Sequence, residues 1–280
     1  MSSLTPAALA LIVAFAGVLG LVIGSFLNVV AYRVPAGIPL TRESRCPHCD
    51  EPVRPWQNVP VLSWVGLRGR CASCSAPISP RYPLVEAATG VIFAAVAWYF
   101  AAPAVAGSAG GTAAAIVVGI AYLSFAAVSV VLALIDLDVR RLPNAIVLPS
   151  YAVSLILLTL ACLLGADWSA LLRAVIAAIV LFGFYALLRA IRPDGMGGGD
   201  VKLAGLIGIL LGWLGWGSVV VGAFAAFLLG GVFGAALLIA RRAGRRTAIP
   251  FGPWMLAGAW VGITVGEPIA RWYTGLLVGA

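Results

Sequence analysis

Charge is what this sequence lacks. Only 10% of its 280 residues are Asp, Glu, Lys or Arg, while 62% are hydrophobic; an ordinary globular domain carries about 25% charge. A water-soluble domain is excluded, because the polar surface needed to cover one is missing. Histidine is nearly absent, with His48 alone, and Ser25, Ser124 and Ser129 have no obvious basic partner, so a Ser-His-Asp arrangement is not expected. No Gly-x-Gly-x-x-Gly unit links a strand to a helix, and no Gly-Lys-Ser/Thr follows the glycine run near residue 197, which removes the dinucleotide fold and the P-loop. Internal repeats of the kind transporters show are not apparent. The N-terminal stretch has neither a basic lead-in nor a small-x-small cleavage site, so residues 1–32 read as a retained span.

What charge there is leans basic, with 18 Lys+Arg against 10 Asp+Glu and a pI near 9.7. That balance could suit a nucleic acid, but the basic residues punctuate apolar runs of membrane-spanning length, so no nucleic-acid partner is expected. After the first span, apolar runs lie at about 84–101, 112–135, 145–165, 169–190, 201–213, 217–240 and 250–266. The expected fold is therefore an all-α polytopic membrane protein of about eight spans in the lipid bilayer. The short run at 201–213 is separated from the next by Leu214, Gly215 and Trp216 alone, which leaves seven spans open. With eight, Arg173 and Arg271 lie near one side and the other basic residues on the opposite side, which the positive-inside rule makes cytoplasmic. The cytoplasmic segments are then 33–83, 136–144, 191–199 and 241–249. This gives a first transmembrane helix at 1–32, an aqueous segment at 33–83 and a transmembrane bundle at 84–280.

The aqueous segment is too short to build a core from its scattered apolar residues. Cys46-Pro47-His48-Cys49 and Cys71-Ala72-Ser73-Cys74, with 21 residues between the pairs, have nearly the spacing of a four-cysteine zinc ribbon. Four thiolates close a tetrahedron and leave no open position, so the expected zinc is structural, held by Cys46, Cys49, Cys71 and Cys74. Disulfides are the alternative, disfavoured by a reducing cytoplasm. His48 reads as solvent-facing, Cys162 as a mid-span core residue, and Glu43, Asp50 and Glu51 as solvated surface charges. Asn28, Arg33 and Glu86 lie at similar membrane depth and are expected to satisfy one another.

Carboxylates near lipid are costly, so their positions carry information. Asp136 and Asp138 end the third span, and Asp200 closes Gly195-Met196-Gly197-Gly198-Gly199-Asp200 ahead of Val201 and Lys202. The glycines permit close backbone approach. Two carboxylates brought together suit an aspartyl mechanism, one holding a proton while the other deprotonates water. Three other readings stay open: ion pairs with Arg140 or Arg141, a helix cap by Asp200, and Mg²⁺ held by Asp136, Asp138 and Asp200 for a lipid diphosphate. A proton-coupled transporter is disfavoured, since the visible carboxylates cluster at one face.

In order along the chain, Gly24-Ser25-Phe26-Leu27-Asn28-Val29-Val30 with Arg33, both cysteine pairs, Asp136 with Pro143 and Asn144, Gly197-Gly198-Gly199-Asp200-Val201-Lys202, and Ile249-Pro250-Phe251-Gly252-Pro253 together resemble the type IV prepilin peptidases, the membrane aspartyl proteases with a Gly-x-Gly-Asp motif. The resemblance implies an enzyme of the bacterial inner membrane that removes the basic leader of type IV pilus or type II secretion pseudopilin precursors after a Gly, on the cytoplasmic side. It also implies N-methylation of the new N-terminus with S-adenosylmethionine. Carried over, it makes Asp136 and Asp200 catalytic and Asp138, Gly197, Gly199 and Lys202 accessory.

Overall fold

The computed structural model describes residues 5–105, 111–240 and 250–278. The basic run at 241–249 and the stretch at 106–110 lie outside the described residues. Among the described residues the chain is helical apart from turns and two isolated β-bridges. It forms two compact units, residues 1–131 and 132–280. Helix α4 (Thr112–Val139) passes from one to the other.

In residues 1–131, α1 (Pro6–Arg33) and α3 (Arg81–Val105) pack as an antiparallel pair. Small residues make the approach possible, as in other membrane helix pairs: a Cβ on Gly20 would stand 2.8 Å from Gly90 Cα, and one on Gly24 would stand 2.8 Å from Glu86 Cα. Thr5 caps α1 by accepting from Ala8 N–H at 3.2 Å. Between the paired helices lie a single 3₁₀ turn (Pro55–Asn58) and the five-residue α2 (Leu62–Gly66).

Asn28, Arg33 and Glu86 are all buried, but their hydrogen bonds go mostly to backbone groups and not to one another. Asn28 Nδ2 donates to Tyr82 O at 3.3 Å. Arg33 donates to Leu40 O at 3.0 Å, to Arg42 O and to Ser44 Oγ. Glu86 Oε2 accepts from Val61 N–H at 2.7 Å. The loop between the helices supplies partners that the sequence pattern does not reveal, because backbone groups carry no residue code.

In residues 132–280, α5 (Asn144–Leu163), α6 (Trp168–Ile191), α7 (Gly198–Leu214), α8 (Trp216–Ile239) and α9 (Gly252–Val278) follow the end of α4. The 17-residue α7 is the centre of this unit: from Asp200 to Trp213 only Lys202 is not buried, and it packs on α5, α6, α8 and α9. It is a separate helix from α8, with Gly215 between them, so the two runs are two helices. At 1.5 Å per residue its 17 residues span about 25 Å, shorter than a typical hydrocarbon core of about 30 Å. Among the described residues six helices are long and apolar enough to cross a membrane, namely α1, α3, α4, α5, α6 and α8. Cys162 is buried but lies in the last turn of α5, not mid-span.

Short helices in lipid leave orphan carbonyls that water cannot reach. Arg173 from α6 answers this at the end of α7, donating from Nε to Gly212 O at 2.7 Å and from Nη2 to Trp213 O at 2.8 Å. Beside it, Glu267 Oε1 on α9 accepts from Ser218 N–H at 3.1 Å in the first turn of α8. Both clamps act on the α7–α8 corner. They hold the end of α7 opposite to Asp200.

The α6–α7 seam permits no extra atom at Gly208, where a Cβ would stand 2.6 Å from both Ala177 O and Ala178 Cα. Gly208→Val is expected to destabilise the protein by about 1–3 kcal/mol, read as a lower Tm in detergent. Gly183→Ala, where a Cβ meets nothing within 4 Å, leaves Tm unchanged or raises it. Equal behaviour of the two variants would contradict this packing.

Candidate active site and metal centre

Asp136 lies in the last turn of α4 and is 5% exposed. Its Oδ2 accepts from the backbone N–H of Gly252, the first residue of α9, at 3.0 Å. A Cβ on Gly252 would stand 2.7 Å from that same oxygen, so only glycine lets the amide come so near. Asp138, two residues on, is exposed. The chain thus buries one of two neighbouring carboxylates and leaves the other at the surface.

Asp200 is the third residue of α7 and is 9% exposed. Its Oδ2 accepts from Gly197 N–H at 3.0 Å, so a first-turn carboxylate takes the donor of the residue that precedes the helix. The capping expectation therefore holds. It does not compete with a chemical role, since it occupies one oxygen. Among the described residues, neither Asp136 nor Asp200 uses Oδ1 in a hydrogen bond, and Ser218 Oγ is the one fully buried polar side-chain atom left without a partner.

Leu142, in the connection from α4 to α5, ties these two places together. Its Cβ would lie 2.8 Å from a Cβ on Gly199, and its Cδ2 3.4 Å from one on Gly252. The starts of α7 and α9 therefore meet the end of α4 over one leucine. Lys202 turns elsewhere, donating from Nζ to Asn144 Oδ1 at 2.9 Å. Its own carbonyl accepts from the Tyr151 hydroxyl.

Four contributors were given no role by the sequence reading, although Phe251 and Gly252 stand in a stretch that carries the resemblance. Gly252 and Leu142 act through backbone proximity, for which the sequence offers only a glycine and a leucine among many. Tyr185 on α6 is 2% exposed and stacks on Phe227, and Asp200's charge acts on its hydroxyl. Phe251, next to Gly252, lies 5.4 Å from Phe227 between ring centroids.

The four cysteines gather in residues 1–131, their Sγ atoms all within 4.8 Å of one another. Two knuckles of the same design bring them there. Asp50 N–H donates to Cys46 O at 2.9 Å and Cys46 N–H to Glu51 O at 3.0 Å; Ser75 N–H donates to Cys71 O at 3.0 Å and Cys71 N–H to Ala76 O at 2.8 Å. The residue after each second cysteine, Asp50 and Ser75, takes a positive φ of 55° and 60°. Bridges Arg45–Pro52 and Arg70–Pro77 close the two hairpins.

A tetrahedral site with 2.3 Å metal–sulfur bonds has S···S edges of about 3.8 Å. Cys46 Sγ and Cys74 Sγ are 3.9 Å apart, and all five cysteines are free thiols, so the donor set fits zinc and not disulfides. The backbone N–H groups of Cys74 and Ser73 hold the Cys71 thiol down to about 6, which favours the thiolate a metal needs. His48 is exposed. Arg45 pairs with Glu43 at 3.1 Å and Asp50 at 3.4 Å on the surface, where such pairs contribute little.

Two family models match the chain: the Bacterial Peptidase A24 N-terminal domain over residues 18–100, and the Type IV leader peptidase family over residues 123–239. The first covers the four cysteines and the second covers Asp136 and Asp200. Curated relatives include proteins named prepilin leader peptidase/N-methyltransferase. That of Stutzerimonas stutzeri is 34% identical, over 91% of this chain and 91% of its own. That of Neisseria gonorrhoeae is 36% identical, over 97% of this chain and 95% of its own. That of Pseudomonas putida is 35% identical, over 92% of each. No solved structure matches.

Purified chain is expected to carry about one zinc per molecule by elemental analysis, since four thiolates bind it tightly. Replacing one cysteine of each pair, as in Cys46→Ser with Cys71→Ser, should release it and make residues 40–80 protease-sensitive. Stoichiometric zinc persisting in that double variant would exclude this ligand set.

Proposed function

The chain belongs to the type IV leader peptidase family, and from that premise we propose that it cuts the basic leader from type IV prepilins or type II secretion pseudopilins after a Gly, with Asp136 and Asp200 activating one water between them. The observation that carries this reading is the pair itself. Two buried carboxylates lie at the same end of residues 132–280, each pinned through Oδ2 by one glycine N–H and, among the described residues, each with no hydrogen bond at Oδ1.

Two like charges so placed resist ionising together. The ionised partner takes a proton from the water as it attacks the scissile carbonyl. The protonated partner donates to the carbonyl oxygen. A tetrahedral gem-diol forms, its collapse breaks the C–N bond, and the leaving amine takes up a proton. No covalent enzyme intermediate is required. Burial of both side chains keeps the surroundings low in dielectric, which strengthens their action on a developing charge.

Gly197, Gly199 and Gly252 serve by closeness: larger residues would push on Asp200, Leu142 and Asp136. Lys202 holds Asn144 and so ties α7 to the start of α5. Asp138 is accessory. In this reading α1 (Pro6–Arg33) is the first transmembrane helix, the segment between α1 and α3 is stapled by structural zinc on the four cysteines, and the unit of residues 132–280 carries the protease site. The concentration of arginines on one side supports a cytoplasmic site in the bacterial inner membrane.

N-methylation, present in the relatives' names, comes over with the family as a second activity using S-adenosylmethionine. The described residues contain no strand–helix unit of the dinucleotide-binding kind, and no residue is assigned to the methyl donor. The Mg²⁺ alternative gains no support. Among the described residues the four cysteines are the one group of three or more metal-binding side chains brought together, and Asp138 is exposed.

In a precursor-cleavage assay with purified protein, Asp136→Asn and Asp200→Asn should each lower turnover by about 10²-fold or more, with Tm little changed because the amide keeps the shape. Asp138→Asn should be much milder. Normal cleavage by both the 136 and the 200 variants would overturn the aspartyl reading, and loss at 138 without loss at 136 would mean the wrong carboxylate was chosen. Reporters fused after Arg45, Arg141 or Gly195 should read cytoplasm, and a fusion at Ala166 should read the outside. A Gly195 fusion reading outside would separate the two aspartates and exclude a shared water.

A further inference from the structure

The loop between α1 and α3 carries apolar side chains that the described residues leave uncovered. Trp56 is 55% exposed, Leu62 70% and Val65 60%. Leu62 and Val65, three residues apart on α2, share one helix face. Trp64 turns the other way, lying against Gly69 with its Nε1 donating to Ile78 O at 3.1 Å. The segment thus has an inner side that it packs and an outer side that it does not.

Its height relative to the membrane follows from one bond. Val61, which opens α2, donates its N–H to Glu86 Oε2 at 2.7 Å. Glu86 belongs to the span that begins at Arg81, five residues or about 7.5 Å along the helix. A headgroup layer is about 5–8 Å thick on each side of the hydrocarbon core. Bonded to that residue, Val61 cannot stand clear of the surface in water. It is held to the level where the span enters lipid, even at the expense of a φ of 61° on a β-branched residue.

Two further ties hold the loop near that level: Arg33, at the end of α1, gathers the carbonyls of Leu40 and Arg42, and Asn28 reaches Tyr82 O in the first turn of α3. Arg54 and Arg68, both exposed, flank the apolar face with the charge that an anionic leaflet attracts.

We propose that the Trp56–Val65 turn is embedded in the membrane surface, with Trp56, Leu62 and Val65 among the headgroups and upper acyl chains of an anionic phospholipid leaflet. The four-cysteine segment is then a surface-riding element and not a free aqueous domain. An indole at this level is the ordinary behaviour of interfacial tryptophan, and a short amphipathic turn with flanking arginines is a small version of an interfacial helix.

The test uses full-length protein in vesicles of phosphatidylethanolamine and phosphatidylglycerol, with and without bromine near the carbonyl end of the acyl chains. The emission lost in Trp56→Phe identifies the signal of residue 56. Leu62→Trp in that background adds an independent probe at a position exposed enough to accept it. Both signals are expected to be blue-shifted, quenched by brominated lipid and shielded from aqueous acrylamide. Emission at both positions that acrylamide quenches and brominated lipid does not would overturn the proposal. Shielding that arises only when a prepilin-type precursor is added would overturn it too, in favour of a protein partner on this face.

Discussion

A carboxylate that ends a membrane helix must find a donor or draw in water, because nothing else in the surroundings offsets its desolvation. In residues 132–280 both buried aspartates find that donor in a single glycine N–H. Asp200 takes the amide of Gly197, just ahead of its own helix, and Asp136 takes that of Gly252, far along the chain at the start of α9. One bond per carboxylate is enough to fix the side chain and too little to silence it. The remaining oxygens are what the chemistry can use.

Much of the unit around them serves to keep those amides in place. Helix α7 is buried along almost its whole length and is fixed at both ends, by the Asp200 cap at one and by Arg173 on its final carbonyls at the other. Small residues let α6 and α9 close on their neighbours to near backbone contact, where each added carbon would be felt. Leu142 then transmits position between Gly199, next to Asp200, and Gly252, the donor to Asp136. The registers of α4, α7 and α9 are therefore coupled through a few atoms at the end where both carboxylates lie.

What the sequence revealed divides by distance along the chain. Spans were legible because lipid demands long apolar runs, and the cysteine knuckles because a metal demands its ligands at short fixed spacing. Even the break at Gly215 was visible, though not whether it ended a helix. What was illegible is which helix meets which. Helices apolar on all sides carry no stripe that names a partner, so nothing in Asp136 points to Gly252. The same limit hid the partners of Asn28, Arg33 and Glu86, which are mostly backbone groups of the intervening loop and the first turn of α3. The likeness of the two cysteine hairpins was also missed, since it resides in hydrogen bonds and in the positive φ of Asp50 and Ser75 while the side chains around them differ.

The central claim is that Asp136 and Asp200 act as one unit on one water. Single-turnover cleavage of a prepilin by the Asp136→Asn, Asp200→Asn and doubly substituted proteins tests it most directly, because residues that work as a unit show losses that do not multiply. The double variant is predicted to be no slower than the slower single variant. Losses that multiply, with the double variant slower by the product of the two single effects, would show two carboxylates acting independently and would contradict the account.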